Sequence, residues 1–192
     1  MIKYLLNVFC LATLILTTCV GCHKNSASAS NFEAGLNHYF QNNPECYNPT
    51  FPFTTLEDPQ DDELVKIGVL TKRAGSPIDI TLSYTIYDLS ETGRHFVSPS
   101  DSSKLCFGTK KVERIVNFSK SGSEGNQESS VTYVWALTNI PDWAKSAFST
   151  QPFSGWGFAK EVKGILPEKE RTATDTMHLT NLGWRRSDDT GQ

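Results

Sequence analysis

The residues able to do chemistry in this chain are few and scattered. General acid or base catalysis needs a titrating side chain within hydrogen-bond reach of the group it serves, and neither His95 nor His178 has a motif partner in its neighbourhood. His38 falls off the apolar stripe of the helix expected around it and reads as a solvated side chain. Ser154, in Phe153-Ser154-Gly155-Trp156-Gly157-Phe158, lacks the glycine two positions before it that a nucleophile elbow requires, and no strand leads into it. The acidic run Glu57, Asp58, Asp61, Asp62 and Glu63 lacks the oxygen-ligand spacing of a calcium loop. It suits the start of a helix, where carboxylates oppose the positive end of the peptide dipoles. Cys46 and Cys106 have no His or further Cys at metal-ligand spacing. No catalytic residue, metal site or cofactor is therefore assigned. The aromatic side chains Phe153, Trp156 and Phe158 are the candidate partner-binding patch, against the alternative that they pack onto a sheet.

The strongest pattern is at the start. Met1-Ile2-Lys3 gives a short positive beginning, and Leu5 to Val20 form an apolar run without charge. That is the layout of a secretory signal, and the run is shorter than the roughly 20 apolar residues a spanning helix needs. It closes in Leu16-Thr17-Thr18-Cys19-Val20-Gly21-Cys22, followed at once by the polar His23-Lys24-Asn25-Ser26-Ala27-Ser28-Ala29-Ser30. This stretch resembles the lipobox of bacterial lipoproteins, in which the cysteine thiol receives a diacylglyceryl group and a dedicated peptidase cuts just before it. The resemblance implies a signal peptide over 1–21 and a lipidated Cys22 with a flexible tether over 22–30. Cys19 is the competing site: it has Leu16 three residues before it, as the family prefers, but Thr18 directly before it, where Cys22 has the small Gly21. Two or more acyl chains hold a protein firmly on a bilayer where one holds it marginally. In enterobacterial members of the class an Asp after the lipidated cysteine retains the protein in the inner membrane. His23 stands there, so the resemblance implies the outer membrane, with the body facing the periplasm.

Lipidation at Cys22 would also settle the cysteine arithmetic. Cys10 and Cys19 leave with the signal, and the exported body keeps only Cys46 and Cys106. An oxidising compartment allows them to pair, closing a loop of about 60 residues worth on the order of 4 kcal/mol in the chain-entropy model. The competing reading is two separate buried thiols.

A chain of 192 residues with 38% hydrophobic and 11% aromatic content can build one ordinary domain or two small ones. Its net charge of −3, with no cluster of Lys or Arg, argues against a nucleic acid partner, which requires a basic field.

The elements follow in order. Ser30-Asn31-Phe32-Glu33 has a capping-box pattern, and Phe32, Leu36, Tyr39 and Phe40 share one helical face that ends at Asn42-Asn43-Pro44. Pro44, Pro49, Pro52 and Pro59 then prevent regular structure from 44 to 59, while Phe51 and Phe53 alternate like a short strand or a clamp over the core. A second helix is expected from Asp61 to Thr71, then a turn at Gly75-Ser76-Pro77 and a strand from Ile80 to Tyr87. With Leu89-Ser90-Glu91-Thr92-Gly93-Arg94 closing the run, the stretch 32–97 resembles a winged-helix module. What that resemblance implies here is a packing or protein-docking scaffold, since the fold does not carry its DNA-binding role into an acidic exported chain.

The sequence thus reads as an α+β protein, a winged-helix-like unit over 31–97 packed on a small antiparallel sheet with a short helix over 98–186. The strands of the second unit are expected at Lys104 to Gly108, Val112 to Phe118, Val131 to Thr138 and Thr176 to Thr180, with a helix starting at Ile140-Pro141 and a disordered tail over 187–192. The functional expectation is a non-catalytic binding or accessory lipoprotein of the outer membrane that docks an envelope protein, in the manner of an inhibitor or immunity protein. The alternatives are a structural part of an envelope or secretion machine and, less favoured, a cell-envelope hydrolase.

Overall fold

The computed structural model describes residues 25–75, 84–121, 127–165 and 167–189. The expected signal peptide, Cys19, Cys22 and His23, residues 76–77 of the expected turn, 80–83 of the expected strand and 190–192 of the tail lie outside the described residues.

The fold is α+β, with a six-stranded antiparallel sheet and a separate three-stranded one. Helix α1 (Ala29–Asn42) buries Phe32, Leu36 and Phe40, three of the four residues read as its stripe. Its N-cap is Ser28, whose hydroxyl accepts from the Asn31 amide, two residues before the expected cap. The Ser26 carbonyl is already engaged, accepting from Trp184 Nε1 at 3.1 Å and from Asn31 Nδ2 at 2.8 Å. The stretch expected to be a tether is therefore shorter than the sequence suggested, because Trp184 offers its indole N–H to the chain just ahead of the helix.

Around α1 curls the antiparallel series β6 (Asp101–Ser121), β7 (Glu128–Thr138), β8 (Thr172–Thr180) and β9 (Gly183–Arg186), with β1 (Glu45–Cys46) and β5 (Val97–Ser98) on the outer side of β6. The α1 stripe packs on Val112, Val131, Tyr133, Trp135, Met177 and Trp184. The two short strands expected over 104–118 are one strand of 21 residues. Thr109, Lys110 and Lys111 bridge the gap by pairing with Thr138, Leu137 and Ala136, and register shifts follow between Val112 and Arg114 and between Ile115 and Asn117. Bulges bend and twist a strand, which is how a flat hairpin comes to wrap a helix.

The smaller sheet has the order β2-β4-β3, from β2 (Phe53–Thr55), β3 (Leu70–Ala74) and β4 (Thr85–Leu89). Helix α2 (Pro59–Ile67) sits between β2 and β3 in the chain, capped by the Asp58 carboxylate with Pro59 in its first turn. It stops at Ile67 rather than Thr71, because Gly68 adopts φ +88° and its N–H closes onto the Leu64 and Val65 carbonyls. A left-handed cap of this kind favours glycine and frees Leu70 to pair with Leu89 as a strand. Helices α3 (Asp142–Phe148) and α4 (Ala159–Val162) complete this core, with Pro141 at the α3 N-cap.

Both cores draw on residues from either side of position 97. The first joins Leu64, Tyr87 and Leu89 to Leu105, Phe107 and Phe148, and the second joins Phe40 to Val112 and Tyr133. The start of the expected tail is tied down as well: the Ser187 N–H donates to Thr176 O at 2.9 Å, and the Tyr39 hydroxyl donates to Asp188 at 3.1 Å.

Candidate functional site

Cys46 and Cys106 face each other as register partners on β1 and β6, with their sulfurs bonded at 2.04 Å. A two-residue strand has little hold of its own, so the bond staples β1 to the sheet. A shallow cleft opens on each side of the staple. One, of about 210 Å³, is polar and takes in Asn43, Asn48, Ser98, Ser100 and Lys104; the other, of about 200 Å³, is lined by Phe96, Val97 and Pro141. Both fall below the roughly 300 Å³ at which sites for cofactor-sized ligands begin.

The aromatic loop is mostly part of the core. Phe153 is 1% exposed, with ring centroids of Phe148 at 5.3 Å, Trp156 at 5.9 Å and Tyr47 at 6.3 Å. It is therefore corrected from a partner-binding candidate to a packing residue. The cause is local: the 3-10 turn Gln151–Phe153 follows α3 directly and swings the ring inward, while Gln60 Nε2 donates to the Pro152 carbonyl at 2.8 Å and pins the turn. Trp156 and Phe158 stay half-buried. Trp156 stacks on Phe148 at 4.8 Å with an 11° interplanar angle, and Phe158 meets Phe107 at 5.3 Å.

The exposed edge of Phe158 leads to a residue that the sequence did not single out. Lys110 Nζ lies 4.9 Å from the Trp135 ring centroid, 5.6 Å from Phe158 and 6.0 Å from Phe40, and 2.7 Å from Glu45 Oε1. An ammonium over several ring faces is held by their quadrupoles. The side chains of this pair are only 24% and 20% exposed, at the seam where Phe158 and Leu137 touch both cores. Nothing in the sequence groups Phe40, Glu45, Lys110, Trp135 and Phe158, since they come from α1, β1, β6, β7 and the N-cap of α4.

The acidic run resolves into a helix start and a buried bridge. Asp61 is 4% exposed and accepts from the Tyr47 hydroxyl at 2.9 Å. Burial pushes its carboxyl up to about 6, against a lowering by the Tyr47 hydrogen bond and with raising contributions from Asp58 and Asp62. The Tyr47 hydroxyl is raised in turn, first by burial and then by Asp61. Asp62 accepts from Tyr87 at 3.0 Å and pairs with Lys72 at 2.9 Å, and the hydrogen bond from Lys72 leads in holding it below the ordinary carboxylate range. Among the described residues no group of three or more His, Cys, Asp or Glu is placed to hold a metal ion.

The histidines stay apart. His38 is exposed on α1 beside the Asn42 amide, His95 is exposed in the 3-10 turn Gly93–Phe96, and His178 stands on β8 opposite Glu128 and Arg185. The exposed Ser154 hydroxyl donates to the Gln151 carbonyl at 2.8 Å. Among the described residues no helix is long and apolar enough to cross a membrane. The chain matches no family model, no curated protein and no solved structure.

Proposed function

We propose that the chain is an exported lipoprotein, held in the outer membrane through Cys22, whose body faces the periplasm and binds an envelope protein without catalysing a reaction. Its class would be that of an accessory, inhibitor or immunity protein. The observation that carries the reading is the Cys46–Cys106 bond, because disulfides persist in exported proteins and are rare where thiols are kept reduced. The half-buried rings of Trp156 and Phe158, the second lying 5.6 Å from Lys110 Nζ, support a protein-docking surface, since an aromatic rim with one ion pair offers area and register rather than a ligand-sized cavity. On this reading no nucleic acid and no cofactor takes part.

The winged-helix resemblance belongs to the proposal in a reduced form. The order β2-β4-β3 with α2 ahead of β3 supports it over 53–89, while the packing of α1 on the large sheet weighs against carrying it back to residue 32.

Metabolic labelling with palmitate tests the anchor: the wild-type chain takes label and stays with membranes, and Cys22→Ser abolishes both. Crosslinking from intact envelopes tests the rest. One saturable protein partner, lost when Trp156 and Phe158 are replaced by Ser, supports docking. Turnover of a peptidoglycan or lipid substrate by the purified protein would overturn the non-catalytic reading.

A further inference from the structure

One end of the molecule brings together the point where the described chain begins and the exposed side chain of Leu182. Trp184 Nε1 holds the Ser26 carbonyl at 3.1 Å, and the Phe32 ring on the first turn of α1 lies 4.8 Å from Trp184 and 4.9 Å from Phe118. The β8–β9 turn, closed by Thr180 and Gly183, carries Leu182 at 69% exposure, more than any other large apolar side chain among the described residues.

The reach of the chain decides what lies against this end. Four residue steps separate Cys22 from Ser26, and a chain spans at most about 3.5 Å per residue, or roughly 14 Å in all. Leu182 is two residues from Trp184, hence within about 7 Å of the residue that grips Ser26. Acyl chains on Cys22 would therefore hold the Ser26–Trp184 contact within that reach of the headgroups, with Leu182 two residues further along the chain. By contrast Phe40, which touches Lys110, lies eight residues further along α1 than Phe32, about 12 Å deeper at 1.5 Å per residue.

We infer that the end bearing Leu182 and the Ser26–Trp184 contact rests on the lipid surface and fixes the attitude of the body, turning the Lys110 seam and the disulfide staple away from the bilayer. The inference rests on lipidation at Cys22 and adds to it a second, non-covalent contact. Leu182 enters the headgroup region as an apolar side chain.

The test uses the full lipidated protein in vesicles of phosphatidylethanolamine and phosphatidylglycerol with brominated acyl chains, which quench tryptophan on contact. Leu182→Trp is compared with Ile165→Trp, whose position is 64% exposed three residues beyond α4, and the wild-type emission is subtracted from both. The expected result is at least twofold stronger quenching at 182 than at 165. Equal quenching in protein that floats with the vesicles overturns the apposition and leaves the anchor standing. Protein that does not float overturns the anchor and the apposition with it.

Discussion

Gly35 faces the carbonyl of Trp184 so closely that a methyl group on its α carbon would lie 2.2 Å from the oxygen. This contact lets α1 lie flat on β9 inside the curled sheet. The obstacle is backbone, which cannot swing aside as a side-chain end can. Gly35→Ala is expected to lose at least the 1–3 kcal/mol typical of overpacking. Gly155→Ala, where nothing lies within 4 Å, should leave the urea midpoint unchanged, and a Gly35→Ala midpoint equal to wild type would contradict the packing described.

The burial of the Asp61 carboxyl makes stability depend on pH. The folded Asp61 carboxyl titrates near 6 against an ordinary value of 3.8, so between these the folded state holds the proton more tightly than the unfolded state. Its contribution is present in full below about pH 4 and is lost as pH rises through 6, by up to about 3 kcal/mol. Asp62 has the opposite sign: its carboxyl is lowered, and its contribution is lost only as pH falls below the ordinary carboxylate range. Asp61→Asn keeps an acceptor for the Tyr47 hydroxyl and removes the titration. The difference in unfolding free energy between wild type and variant should therefore move in the variant's favour from pH 4 to pH 7. A constant difference across that range would refute the assignment.

Much of the local structure was legible because it rests on short-range rules. Phe32, Leu36 and Phe40 marked the buried face of α1, and Asn43 before Pro44 marked its end. The Val131–Thr138 run marked β7 from its β-branched and aromatic content. What escaped was set by distant partners. The gap over 109–111 looks like a break in β6 until Thr138, Leu137 and Ala136 pair with it. Ser26 looks like linker until Trp184, 158 residues away, donates to its carbonyl. The candidate surface was half legible for the same reason. The 153–158 loop drew notice as an aromatic cluster, but the inward turn of Phe153 depends on Gln60, and the Lys110 seam depends on that loop meeting α1, β1, β6 and β7. Cys46 and Cys106 were readable as a pair only through the lipobox resemblance, which removed the other cysteines from the count.

Lys110 should behave as one unit with Glu45. Lys110→Met keeps much of the stem that packs against Trp135 and Phe158 while removing the charge, which leaves a mostly shielded carboxylate without its ammonium. The expected loss is about 1–2 kcal/mol. Adding Glu45→Gln should restore part of it, with a coupling energy of roughly 1 kcal/mol in the double-mutant cycle. A coupling near zero would reduce the pair to an ordinary surface contact.

The disulfide gives the last expectation. Its residues are separated by 60 positions, and a cross-link over a loop of that length restricts the unfolded chain by on the order of 4 kcal/mol in the entropy model. Cys106 is 9% exposed and β1 has two residues, so the bond also decides whether β1 stays in the sheet at all. Cys46→Ala with Cys106→Ala should lower the unfolding free energy by about 2–4 kcal/mol. A dithiol reductant should lower the urea midpoint of the wild type to that of the variant and leave the variant unmoved. Hydrogen exchange would then localise the change: amides of β1 and the Tyr47 N–H, which donates to the Leu105 carbonyl at 2.7 Å, should lose protection, while those of the β7–β8 pairing keep theirs. Uniform loss across both cores would mean that the staple supports the whole fold rather than one strand at its edge.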